Sequence, residues 1–215
     1  MAFRITGLSP APFRHLYGLD DSALAAHGAI RYGVDSDFGY PDRIEVRDAV
    51  PGETVLLLNH VHQPCDTPFR ASHAIFVLEG ADTALDAVDT VPEALRRRML
   101  SLRAFDAGHM MVDAMLVDGT AAAAAIERLW ADPAIQYVHA HYATRGCYAA
   151  RVDRLASRPV GPALRRAAAR ISITRRPGGR TGWHQRSNAP PQGDPPCRPT
   201  DAGARRRAPS WPRSR

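Results

Sequence analysis

The sequence predicts an α+β fold: a mainly antiparallel sheet with two or three helices over residues 1–155, followed by a disordered basic tail over residues 156–215. Three observations carry this reading. Strand-length apolar runs follow one another through short connections, the pattern of hairpins rather than of parallel βαβ units. Helical signals occur at only two or three places. From about Ala156 onward Arg, Pro, Ala and Gly dominate, and large apolar residues become too sparse to offset the entropy of ordering the chain.

Residues 3–6 (Phe-Arg-Ile-Thr) read as an opening strand. Asp20-Asp21-Ser22 offers an N-cap to a helix over residues 23–27. Residues 30–34 and 43–47 read as strands, and Pro51-Gly52 as a turn. Thr54-Val55-Leu56-Leu57-Leu58-Asn59 is an apolar run of strand length, expected in a central position buried on both faces. Residues 60–70, which include Pro64 and Pro68, read as a loop, and residues 73–78 as the next strand. Thr90-Val91-Pro92-Glu93 has capping-box spacing, with Thr90 accepting from a helical N–H and Glu93 reaching back; that helix would end near Arg98. Strands at 100–105 and 110–117 flank Ala107-Gly108 as a hairpin. Asp118 or Thr120 caps a helix over residues 121–130, which stops before Pro133. Residues 135–142 and 147–152 make a last strand pair joined by Ala143-Thr144-Arg145-Gly146.

Charge is divided along the chain. The formal net charge is +6, yet residues 1–155 hold 14 Arg against 20 Asp and Glu, whereas residues 156–215 hold 14 Arg against 2 acids. The high isoelectric point therefore belongs to the tail, and a nucleic-acid partner would act only through it. Basic and aromatic residues are not interleaved there as a binding surface requires, so the tail, including a basic helix at 164–173, reads as an extension without selected function. All 28 basic residues are Arg, which excludes Schiff-base chemistry and the phosphate-binding lysine of a P-loop. The odd cysteine count (Cys65, Cys147, Cys197) is no disulfide framework, and neither a signal peptide nor a membrane-crossing run is present; a soluble cytoplasmic protein is expected.

The chemistry-bearing residues gather in two segments. His139 and His141 lie two apart on a strand and so share one face, within chelating reach of one site. His60 and His62 repeat that spacing where a strand is expected to run into a loop, and His73 opens the following strand. A metal reading gives His139 and His141, with His62 or His73 and a carboxylate such as Asp66 or Asp113, as ligands for Zn²⁺ or Fe²⁺. A thiol reading makes Cys147 a nucleophile, activated by His139 or His141 and assisted by Arg145. An anion reading clamps a small carboxylate or phosphate between Arg70, Arg103 and Arg151, which lie in or beside strands. The competing bland account makes the imidazoles a hydrogen-bonded packing cluster and Cys147 a core filler. Nucleotide-binding, nucleophile-elbow and paired Cys-X-X-Cys signatures are absent from the sequence.

One combination of motifs carries a resemblance. It comprises Leu56-Leu57-Leu58-Asn59, His62-Gln63-Pro64, the run from Asp66 to Val77, Leu100-Ser101-Leu102-Arg103-Ala104-Phe105-Asp106 and Met111-Val112-Asp113. Val138-His139-Ala140-His141 and Arg145-Gly146-Cys147-Tyr148-Ala149-Ala150-Arg151 complete it. With these, residues 1 to about 155 resemble the bacterial family catalogued as domain of unknown function 1203. The resemblance implies no activity, and it implies a chain ending shortly after Arg151, so the tail departs from it. Together these readings make a small enzyme acting on an anionic metabolite the leading expectation. His139, His141 and Cys147 would be catalytic, Arg70, Arg103 and Arg151 substrate-binding, and His62, His73, His139 and His141 metal-ligating. A non-catalytic binding or accessory domain is the alternative.

Overall fold

A computed structural model describes residues 2–155, so the expectations on the tail lie outside the described residues. In chain order the strands are β1 (Phe3–Thr6), β2 (Ile30–Gly33), β3 (Thr54–Gln63), β4 (Ala71–Leu78), β5 (Asp86–Val88), β6 (Met99–Phe105), β7 (Met111–Asp118), β8 (Tyr137–Tyr142) and β9 (Tyr148–Arg154). The helices are α1 (Asp21–Ala26), α2 (Glu93–Arg96) and α3 (Ala122–Leu129). The strands form a six-stranded sheet, ordered β5-β1-β9-β8-β6-β7, and a three-stranded sheet, ordered β2-β3-β4. Every strand ladder is antiparallel, as the α+β expectation requires.

Each sheet has its own core. Ala122, Ala125, Ile126 and Leu129 recur at helical spacing along α3 and pack against Leu100, Leu102, Ala104, Val138, Ala140 and Val152 on one face of the six-stranded sheet. The three-stranded sheet contributes Val55, Leu56, Leu58, Ile75 and Val77, which pack with Phe13, Leu16, Ile44 and Leu24 of α1. Val55 and Leu56 are consecutive and both fully buried, so the 54–59 run is covered on both faces, as its composition predicts. None of the helices among the described residues is long and apolar enough to cross a membrane.

Three local expectations need correction. Residues 43–47 form no strand: Asp42 Oδ2 accepts from both the Ile44 and Glu45 N–H groups and turns the chain, leaving only isolated bridges from Pro41 to Asp48 and from Asp42 to Phe76. The Thr90–Glu93 capping box does not form: the Thr90 hydroxyl donates to the Val88 carbonyl, and Pro92, which has no side-chain acceptor, occupies the N-cap of a one-turn α2. The 60–70 loop is shorter, because β3 runs on to Gln63 and β4 begins at Ala71. By contrast Asp20 caps α1, accepting from Ala23 N–H at 2.8 Å, and Asp118 caps the 3₁₀ turn that leads into α3.

The turn at 41–48 ties the two sheets together. Asp42 also accepts from the Leu78 N–H of β4 at 2.7 Å, while the neighbouring Arg43 Nε donates to the Tyr148 carbonyl of β9 at 3.0 Å. Arg43 further donates to the Pro41 carbonyl and, at 3.1 Å, to Cys147 Sγ. Both side chains are buried, so this link holds the small sheet in place over the large one.

At Gly119 the backbone approaches the end of α2 so closely that an added Cβ would overlap the Leu95 carbonyl oxygen and crowd that of Arg98. Gly119→Ala is therefore expected to cost about 1–3 kcal/mol, the usual range for overpacking, read as a lowered urea midpoint. An unchanged midpoint would show that α2 gives way freely.

Candidate metal centre

Strand alternation separates two functions on β8. Val138 and Ala140 face α3, and His139 and His141 face the other way. Register then sets their neighbours. Arg151 of β9, His139 and Arg103 of β6 form one cross-strand row, and Tyr148, His141 and Ser101 form the next. A bulge in the β8–β9 ladder between Ala140 and His141 brings Tyr148, rather than Ala149, opposite His141.

The small sheet supplies the remaining imidazoles. Because β3 continues through Gln63, His62 lies within a strand, and the register places His73 opposite His60. The His62 ring stacks on His73 at 4.7 Å and on Tyr148 at 4.9 Å, and meets His139 and His141 edge-on at 5.5 and 5.1 Å. His60 instead packs on Phe13, so the second His-X-His pair is split between two environments.

The nitrogens decide what this cluster can do. His141 Nδ1 lies 3.0 Å from the Gly146 carbonyl oxygen, which can only accept, so Nδ1 carries the hydrogen and Nε2 a lone pair. That Nε2 is buried with no hydrogen-bond partner among the described residues, as are His62 Nδ1 and His139 Nδ1. His73 Nδ1 and His62 Nε2 are 2.7 Å apart. His62, His73 and His141 each offer one nitrogen, all within 4.8 Å of one another. A tetrahedral ion bound at about 2.0–2.1 Å sets its donors roughly 3.3 Å apart, so small shifts would let these three converge on one cation.

Electrostatics keep the imidazoles neutral. Burial, joined by neighbouring cationic groups, pushes His62 and His141 each down to about 3. Burial likewise holds His139 well below the ordinary range and lowers His73. Neutral imidazole is the ligating form, so protons do not compete for these nitrogens near neutral pH.

The other residues singled out from the sequence are placed as follows. Arg103 lies on the imidazole face and is half-buried, and burial lowers its pKa. Arg151 lies on the same row, but its Nε donates to Asp153 at 2.9 Å and its guanidinium covers the Tyr137 ring. Arg70 is exposed and donates to the Pro64 carbonyl, and Asp66 and Asp113 are exposed. Cys147 packs against the α3-side core and accepts from Arg43, not from a histidine; Arg145 is exposed. A chain that sequence reasoning missed runs from Gln63 Nε2, which donates to Tyr137 Oη at 2.7 Å, on to His109 Nδ1 at 3.0 Å. His109 has φ +60, an uncommon backbone state for a non-glycine residue; its only sequence signal is a histidine directly after the Ala107-Gly108 turn.

A family model described as "Protein of unknown function (DUF1203)" matches residues 39–154, a segment that contains the 41–48 link and every member of the imidazole cluster. Neither a curated protein nor a solved structure matches the chain.

Proposed function

The chain belongs to the DUF1203 family, and we propose that this member is a divalent-metal protein whose ion is held by His62, His73 and His141, and that the centre serves a small enzyme acting on an anionic metabolite. One observation carries the reading: His141 Nε2 is a fully buried lone pair, its tautomer fixed by the Gly146 carbonyl, with two further imidazole nitrogens within 4.8 Å. A carbonyl that orients a ligating imidazole through its other nitrogen is the usual support of a metal ligand. Three neutral nitrogen donors suit Zn²⁺ or Fe²⁺ and leave a coordination position for water or substrate. Bound there, the ion would polarise a substrate oxygen or lower the pKa of a bound water. His139, adjacent on the same face, is the group placed to accept or return a proton.

Zinc titration of the chelator-treated protein tests this. Zinc at about 100 times its dissociation constant should stabilise the fold by about 2.7 kcal/mol, visible as a higher melting temperature. His73→Ala removes the most exposed of the three ligands and should weaken zinc binding by more than about 100-fold while leaving the metal-free melt close to wild type. Purified protein that neither retains nor takes up Zn²⁺ or Fe²⁺ would reduce the imidazoles to a packing cluster.

A further inference from the structure

Arg103 is an unusual cation. Its guanidinium makes no hydrogen bond or ion pair among the described residues, although Arg31, Arg47, Arg98 and Arg151 all reach carboxylates. It is half-buried on the imidazole face, directly opposite His139 and diagonal to His141 across the β6–β8 ladder. Its charge acts on His62, His73, His139 and His141 alike. Nothing anionic in those rows answers it: Arg151 and His139 complete its own row, and Tyr148, His141 and Ser101 form the next. A partly desolvated cation is costly unless it is paired. With a divalent ion on three neutral imidazoles, the local charge would rise by a further two units. A second polar atom is also orphaned here: His139 Nδ1 is buried without a partner among the described residues, on a residue only 2% exposed.

We infer that Arg103 and the metal together form the receptor for a small chelating carboxylate, two of its oxygens on the ion and a further one on the guanidinium, with His139 beside it. This rests on the metal reading above and names the ligand class of the same site. The ligand has to supply negative charge, because the described residues supply none to the cluster. It has to be small, because the rings pack at centroid separations of 4.7–5.5 Å and, of the four imidazoles, only the half-buried His62 and His73 border solvent, with Arg103 half-buried on the same face. A guanidinium recognises carboxylate and phosphate through paired N–H groups, and the metal-chelating demand favours oxalate-like or 2-oxo acids over inorganic phosphate. Arg103 is the specificity-determining residue in this arrangement.

Calorimetric titration of the zinc-loaded protein with oxalate, and separately with inorganic phosphate, tests the inference against Arg103→Leu. Oxalate should bind the wild type, more tightly than phosphate, and bind Arg103→Leu at least 10-fold more weakly, although the loss of a neighbouring positive charge leaves zinc affinity in the variant no lower than in wild type. A second readout involves no ligand: removing an unpaired, partly buried cation should raise the melting temperature of the metal-free protein by a few degrees. Oxalate bound equally well by Arg103→Leu overturns the inference and leaves the metal reading standing. Failure of the wild type to bind zinc overturns both. A preference for phosphate, or a lowered melt in Arg103→Leu, overturns the ligand assignment, since the first contradicts chelation and the second means that Arg103 is structurally paired.

Discussion

The metal-free protein is expected to lose stability steeply as the pH falls below about 6.5, the ordinary value for a histidine that folding pushes down in His139 and His141. Both residues are almost completely buried in the folded state, His139 2% and His141 0% exposed, and both stay neutral there. In the unfolded chain they titrate normally. Between about 6.5 and the folded value of about 3 for His141, the unfolded state therefore binds more protons than the native one. Stability is complete above the unfolded pKa and drains away as the pH falls toward the folded pKa. Each such imidazole contributes a slope of about 1.4 kcal/mol per pH unit, so the pair contributes about 3 kcal/mol per unit. A domain with a total stability of about 5–15 kcal/mol would be exhausted within a few pH units. Urea midpoints measured from pH 8 to pH 4 read this directly. A flat profile between pH 7 and 5 would mean that the imidazoles are solvated and that the closed cluster does not exist in solution. Zinc should protect throughout this range, because the folded imidazoles that bind it stay in the neutral form.

Asp42→Ala is expected to be the most damaging single substitution outside the imidazoles. The carboxylate accepts from three backbone N–H groups, those of Ile44, Glu45 and Leu78, in a site with no exposure at all. Burial pushes its pKa up, and these three donors oppose that shift. Truncation orphans two buried donors, those of Ile44 and Leu78, and the part-buried one of Glu45, at about 1–3 kcal/mol for each buried group, a loss of about 3 kcal/mol or more. The consequence reaches the metal centre. Leu78 ends β4, the strand that carries His73, and Arg43, next to Asp42, grips Tyr148, on which His62 stacks. Zinc affinity should therefore fall together with stability. Asp42→Asn, which keeps one carbonyl acceptor, should fall between the alanine variant and wild type. An alanine variant within about 1 kcal/mol of wild type would show that the link between the sheets is made elsewhere.

Much of the fold could be read from local signals that tertiary context reinforced. The 54–59 run, the Asp20 and Asp118 caps, the 107–108 turn and the last strand pair all combine a periodic apolar pattern with matching turn or cap chemistry. Readings failed where a local signal had a competitor. At 43–47 the Asp42 side chain offered backbone N–H groups an alternative to a ladder, and at Thr90 the hydroxyl found the Val88 carbonyl instead of a helix. Neither competitor is visible without knowing which backbone groups lie nearby.

The site divides in the same way. The sequence by itself determined that His139 and His141 share a face, because strand periodicity is local, and that any nearby Arg would face that side or its opposite. It left a carboxylate ligand open, and the tertiary structure removed that option, since Asp66 and Asp113 are exposed. Only the tertiary structure decided that His62 and His73 join them while His60 does not, that Cys147 belongs to Arg43, and that Arg103 rather than Arg70 faces the imidazoles. Those outcomes depend on the register between strands far apart in the chain and on how one sheet is held over another. A shift of one residue in either would turn every side chain to the opposite face, and no spacing within a single segment encodes that choice.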